Sequence, residues 1–299
     1  MDTTEETAEI SDTRTIESNG PALWMADDTS IRFKPWDTER EEELAELFHR
    51  ERKTLEGGRV GKRASLILQH MCASIAGHVF WKETPEGGWV EEMTQASREA
   101  VMSNLWQTDV LTAMVLLRND ALMDSIAEFP VVDPRDATGK TLIDWRGDLG
   151  TLPFNGPTDW ESQLWTFEPK RPFMMRGKKV DKIVMGPLRW GSTEKLRVLD
   201  MSEGIEDLNA LADSIWEIPA IHRVEPGAAR VPYRRADLRR MMKPDLSRLK
   251  REYDSNTNGL DMSIEVVQHD AHGRETFSFV SSVPWYRTDF FEGTSQSSG

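Results

Sequence analysis

Four side chains in this sequence have the types and the spacing to hold a metal ion. Asp133 and Asp136 bracket Asp133-Pro134-Arg135-Asp136, and His269 and His272 bracket His269-Asp270-Ala271-His272, which Gly273 follows. Imidazole nitrogens and carboxylate oxygens are both zinc donors, and a spacing of three residues across a turn lets both members of a pair reach one ion. Either pair alone leaves the ion half coordinated, so a shared site requires the two stretches to converge. The same residues also suit plain turns. Aspartate is favoured at the first turn position, proline at the second has its φ already set, and Gly139 and Gly273 supply positive φ where a return strand begins. Both readings put the four side chains at hairpin tips.

The segments around the tips alternate as strands do. Met262, Ile264 and Val266 fall on one face with Phe277 and Phe279, leaving Glu265 and Ser278 on the other. Upstream, EFPVVDPRDATGKTLIDWRGDL has the same form. Helical stretches precede each hairpin. DTEREEELAELFHRERK carries a Thr38–Glu41 capping box, and RASLILQHMCASIAGHVF is more apolar and therefore more buried. In SREAVMSNLWQTDVLTAMVLLRNDALMDSI, the residues Trp106, Val110, Met114, Leu117 and Ala121 recur on one helical face. SEGIEDLNALADSIWEI and VPYRRADLRRMMKPDLSRLKREYDS follow as helices, the second broken at Pro244. SIRFKPW near the start alternates as a strand, with Ile31 and Phe33 opposed to Arg32 and Lys34.

The expected fold is α+β: two helical lobes, each carrying a β-hairpin, joined by an irregular strand-rich segment. Residues 1–20 form an acidic arm with little to bury, and 21–154 the N-terminal lobe with the first hairpin. Residues 155–200, dense in Pro, Gly and Trp, form the joining segment, with VDKIVMGPLRW as its strand pair. Residues 201–293 form the C-terminal lobe with the second hairpin, and 294–299 a flexible tail. The halves share an order, helices and then a hairpin, rather than residue identities.

Composition narrows the chemistry. Hydrophobic residues at 38% and charged ones at 29% describe a globular chain. A net charge of −14 repels nucleic acid and anionic membrane, so neither is an expected partner. The single cysteine, Cys72, excludes a disulfide framework within the chain and fits a reducing compartment. No basic, apolar leader opens the sequence and no apolar run reaches the ~18 residues that span a bilayer, so a soluble intracellular protein is expected. ATGKT ends like a Walker motif but has Pro134 at the first glycine position. GGRVGKRAS has Glu56 there, and Arg63 where a magnesium-binding hydroxyl belongs. No Gly-x-Ser-x-Gly elbow is present, and Cys72 falls in an apolar stretch that suits a structural thiol. The sequence offers no positive support for an enzyme.

One stretch runs against the overall charge. Nine Lys or Arg fall between Arg230 and Arg251 against two carboxylates, among them Arg234, Arg235, Arg239 and Arg240. Such a run is a solvated helix face or a docking surface for an acidic protein, arginine being suited to bidentate contacts. Tryptophan is over-used, 11 residues against 3 tyrosines, and as a favoured interface anchor it nominates Trp165 and Trp190 of the joining segment.

The order of these features resembles the baseplate hub and tail assembly chaperone proteins of contractile-tailed, T-even-like bacteriophages and related phage-tail-like particles. The similarity is carried by the IRFKPW strand, the TEREEELAEL helix, LWQTDVLTAMVLLRND, VVDPRDATGKTLIDWRGDLGTLPF and the closing Phe290-Phe291. It covers residues 21 to 293 and is weakest in the middle. Asp133 and Asp136 stand where the family has a Cys-Pro-x-Cys knuckle, and His269-Asp270-Ala271-His272-Gly273 where it has Cys-x-x-Cys-Gly. None of the four cysteines is kept. Either zinc is retained on aspartate and histidine, or the knuckles persist as plain hairpins with no cofactor. The resemblance implies a non-enzymatic role in baseplate assembly, at or near the hub, with hub, tube-initiation or wedge subunits as partners. It places the protein in the producer-cell cytoplasm during assembly, or in the finished particle. Two alternatives remain open: a metal-stabilised protein-binding module unrelated to tails, and a metallohydrolase with an open coordination position beside a base.

Overall fold

A computed structural model describes residues 23–55, 60–136, 138–157, 159–194, 205–222, 232–256, 258–269, 272–283 and 285. The expected arm at 1–20, the tail at 294–299 and Phe290-Phe291 lie outside the described residues. In chain order the first elements are β1 (Ile31–Phe33), α1 (Thr38–Arg50), α2 (Arg52–Leu55), α3 (Val60–Met71), β2 (Cys72–Ile75), β3 (His78–Val79), β4 (Trp81–Glu83) and β5 (Trp89–Glu91). Next come α4 (Gln95–Asn104), α5 (Gln107–Leu122), β6 (Ile126–Val132), β7 (Leu142–Asp148), β8 (Phe154–Asn155), β9 (Trp165–Phe167), β10 (Phe173–Met175), β11 (Lys178–Val180) and β12 (Ile183–Met185). The chain continues with α6 (Trp190–Thr193), α7 (Ile205–Asp213), β13 (Ile215–Glu217), α8 (Arg235–Leu238), α9 (Lys243–Asn256), β14 (Gly259–Leu260), β15 (Ser263–His269) and β16 (Glu275–Ser282). Helix and strand are thus mixed, and the described sheets have two or three antiparallel strands each, as in an α+β chain.

Two apolar cores organise these elements. The first gathers Leu68, Met102, Met114 and Leu117 from α3, α4 and α5, together with Phe129 of β6 and Val266 of β15. The second gathers Phe167, Phe173, Val180, Ile183, Ile215 and Leu249 from the middle strands, β13 and α9. This differs from the two lobes read from the sequence. Met262, Ile264, Val266 and Val283 of the second hairpin fill the first core, and the supposed joining segment builds the second. Residues 186–190 knit the two together. Gln107 donates to the Leu188 carbonyl (3.0 Å), and Trp190 donates to that of Leu105 (2.8 Å).

Local chemistry explains where the elements depart from expectation. The N-cap of α1 is Asp37, whose carboxylate accepts from the Arg40 amide at 2.9 Å, not Thr38; Glu41 accepts instead from the Trp36 indole at 3.0 Å. The apolar stretch after Arg63 leaves the helix at Met71. Cys72–Ile75 then pairs with β1, and Ala76 and Gly77, both at positive φ, make the tight turn into β3. Lys34, assigned to a solvent-facing side, follows the end of β1 and is 1% exposed. The long helix expected around Trp106 is two, because Leu105 and Trp106 are extended and turn the chain between α4 and α5. Val110, Met114 and Leu117 of the expected face are buried. The expected break is present between α8 and α9, and Pro244 stands just after it as the second residue of α9, where a missing N–H costs nothing. VDKIVMGPLRW is not a strand pair: β12 lies between β9 and β13, while β11 pairs with β10. Among the described residues no helix is long and apolar enough to cross a membrane.

Candidate functional site: the paired hairpins

The β6–β7 ladder is regular from Ile126 opposite Asp148 to Val132 opposite Leu142. Period-two alternation buries Ala127, Phe129, Val131 and Ile143 and turns Glu128, Val132, Leu142 and Asp144 outward. The Asp133 amide extends the ladder to the Thr141 carbonyl at 2.9 Å, and the chain then turns at Pro134-Arg135. The β15–β16 ladder is equally long, with a bulge at Gln268–His269 and Gly273 at φ +74° in the turn. Ile264 and Val266 point into the first core, and Phe279, opposite Val266, shares their face.

The two hairpins converge as a shared site requires. Arg135, at the first tip, donates to Gln268 Oε1 at 2.6 Å, and its guanidinium lies 4.0 Å from the Phe277 ring centroid. Further down, the Trp145 indole donates to the Glu265 carbonyl at 3.1 Å and its ring packs on Phe129, centroids 4.8 Å apart. Two segments distant in sequence therefore form one double-hairpin unit.

Convergence does not assemble a metal site. Asp133 takes the Arg135 guanidinium in a fork (3.0 and 2.7 Å) and also the Arg135 amide (2.9 Å). Asp136 accepts from the Thr138 amide and hydroxyl (2.8 and 2.6 Å) and from the Lys140 and Thr141 amides (3.1 and 2.7 Å). These bonds hold both carboxyls below the usual aspartate range. A metal ion would have to displace an amide and a guanidinium from Asp133, and three amides and a hydroxyl from Asp136. His269 and His272 are exposed. Among the described residues no three His, Cys, Asp or Glu stand where they could hold a metal ion. The donor set Asp133, Asp136, His269 and His272 does not fit zinc, and both carboxylates serve as turn acceptors.

The other nominated residues divide. Arg234, Arg235, Arg239 and Arg240 are exposed, and none has a described carboxylate within ion-pair distance. Arg230 lies outside the described residues. Arg248 is half-buried and already engaged: it donates to the Glu168 carbonyl and lies over the Phe167 ring. Trp165 is half-buried and lines a cleft of about 110 Å³ between the cores, beside Trp106, Gln163 and Tyr253. Trp190 is fully buried, its indole 2.7 Å from Ser65 Oγ, and is a core residue rather than a contact surface.

Sequence reasoning missed a polar cluster near the N-terminus. Lys34 Nζ lies 3.9 Å from the Trp81 ring centroid, Arg98 lies over the same ring at 4.6 Å, and His70 Nε2 is 2.9 Å from Glu43 Oε2. Burial pulls Lys34 down to about 8 and His70 down to about 4. Burial likewise pushes the Cys72 thiol far up, which makes it inert. It also missed the stack of Trp106, Trp160 and Trp216, capped by Arg189 at 3.3 Å from the Trp106 ring centroid. The only advance signal for either was the excess of tryptophan. No family model, no curated protein and no solved structure matches the chain.

Proposed function

We propose that this chain is a non-enzymatic assembly protein of a contractile phage tail or phage-tail-like baseplate, acting at or near the hub in the producer cell. One observation carries the reading: the two stretches that resemble the family's knuckles lie against each other as one braced unit. The first tip is held by carboxylate–amide and carboxylate–guanidinium bonds in the place of metal–thiolate bonds, and its Arg135 reaches Gln268 of the second hairpin. On this reading the knuckles have become plain hairpins that keep their shape without zinc. A shape held this way suits recognition, because a pre-ordered surface gives up little entropy on binding. The outer face of the first hairpin offers an apolar contact, the exposed cross-strand pair Val132 and Leu142.

The experiment is co-expression with candidate hub, tube-initiation and wedge subunits, followed by capture on the tagged chain. Wild type is expected to retain at least one subunit, and Val132→Asp with Leu142→Asp to lose it while melting at the same temperature. Capture of no tail component would overturn the reading. Stoichiometric zinc in the purified protein would favour the metal-stabilised module instead.

A further inference from the structure

Arg176 joins two cationic stretches that are far apart in the chain. It opens the turn between β10 and β11 at φ +47°, followed by Gly177 at +76°. Its guanidinium grips Asp237 with two bonds, 3.0 and 2.7 Å, and donates to the Pro232 carbonyl at 2.7 Å. It also lies over the Tyr233 ring at 5.0 Å. The hairpin tip is thereby clamped to the start of α8.

Six Lys or Arg fall between Lys170 and Lys182 against Asp181 alone, and five between Pro232 and Lys243 against Asp237 alone. Asp237 is already committed to Arg176 and to the Arg234 amide (2.9 Å). Lys178, Lys179 and Lys182 are exposed, as are the four arginines, and no described carboxylate pairs with these lysines. Two methionines stand among these charges. Met174, opposite Lys179 in the ladder, is 43% exposed, and Met242 is 46% exposed. A polarizable, unbranched side chain at such a place adapts to an apolar partner group.

We infer that this surface docks an acidic segment of a partner protein, whose apolar side chains seat on Met174 and Met242. The inference rests on the reading of the chain as an assembly protein and adds the chemistry of what it holds. In a chain of net charge −14, an uncompensated cationic face is complementary to carboxylates, and arginine meets them in bidentate geometry. A nucleic acid longer than the patch would run into the surrounding negative field, which extends about 10 Å at 0.1 M salt.

The test titrates the full chain, by fluorescence anisotropy, with a labelled peptide of alternating glutamate and leucine and separately with single-stranded DNA. Arg235→Glu/Arg239→Glu/Arg240→Glu is expected to weaken peptide binding about tenfold or more. Raising salt toward about 1 M, where screening shortens to roughly 3 Å, should weaken it in wild type as well. Met174→Ser should weaken it at every salt concentration. Should the triple reversal unfold the chain, Lys178→Glu/Lys179→Glu supplies the same readout from the other stretch. Peptide binding unchanged by reversal, or tighter binding of DNA than of peptide, overturns the inference. Tail subunits captured equally by wild type and reversal variant would sink the patch and leave the assembly reading standing. Peptide binding that depends on the arginines, without capture of any tail subunit, would do the opposite.

Discussion

His70 lies at the end of α3 with Glu43, Lys34 and Arg40 around it, and these groups pull on its proton in opposite directions. Burial opposes the charged ring most, the Lys34 and Arg40 cations oppose it further, and Glu43 favours it; the balance leaves His70 at about 4. An unfolded chain would take up this proton near its ordinary 6.5. Between these values the unfolded state binds more protons, so stability is full above about 6.5 and falls as pH drops towards 4. The denaturant midpoint of wild type should decline across that window, and that of His70→Gln should decline less. Parallel curves for the two would refute the assignment. The contributions of Asp133 and Asp136 are lost only lower, as pH falls below the ordinary 3.8. Little of this was legible in sequence. Strand alternation put Lys34 beside Arg32 on a solvent face, but β1 ends at Phe33 and the next residue folds back onto Trp81.

The geometry of the double hairpin depends on one absent side chain. A Cβ on Gly147 would stand 2.3 Å from Cζ2 and 2.6 Å from Cη2 of Trp145, the ring that reaches the Glu265 carbonyl. Gly147→Ala must therefore push that ring aside, loosening the brace between hairpins at a cost of about 1–3 kcal/mol. Gly139→Ala meets nothing within 4 Å and pays only for its φ of +65°, about 1 kcal/mol. Urea denaturation should rank the two in that order, and the reverse order would mean that Trp145 is not held where it is described. These hairpins were the most readable part of the fold, because period-two alternation and the turn residues act within a few positions of each other. Their mutual contact was not. It depends on Arg135, Gln268 and Phe277, whose meeting is set by how both strands pack on α3, α4 and α5. The middle strands were unreadable for a related reason: each is three residues long, too short for a period, and takes its partner from a distant segment.

At the scale of the whole molecule, the order of the chain and the order of its cores disagree. Apart from Trp190, the first core is laid down by residues before Leu152, yet Met262, Ile264, Val266 and Val283, all below 9% exposed, complete it from the far end. Burying a large apolar side chain is worth about 1.5–3 kcal/mol, so these four contribute on the order of 10 kcal/mol. That equals the entire net stability of an ordinary domain, roughly 5–15 kcal/mol. Leu260 adds a tie, its amide donating to Thr108 Oγ1 at 2.7 Å. A chain ended after Asn258 keeps every residue of α3, α4 and α5, but it should lose amide-exchange protection in α5. Among the described residues the second core contains none later than Tyr253, so Phe167, Ile183 and Leu249 should keep much of theirs. Protection retained in α5 of the truncated chain would mean that the first core closes without the second hairpin. The double-hairpin unit would then be an attachment to a finished lobe, and its bracing would no longer be tied to the fold that carries it.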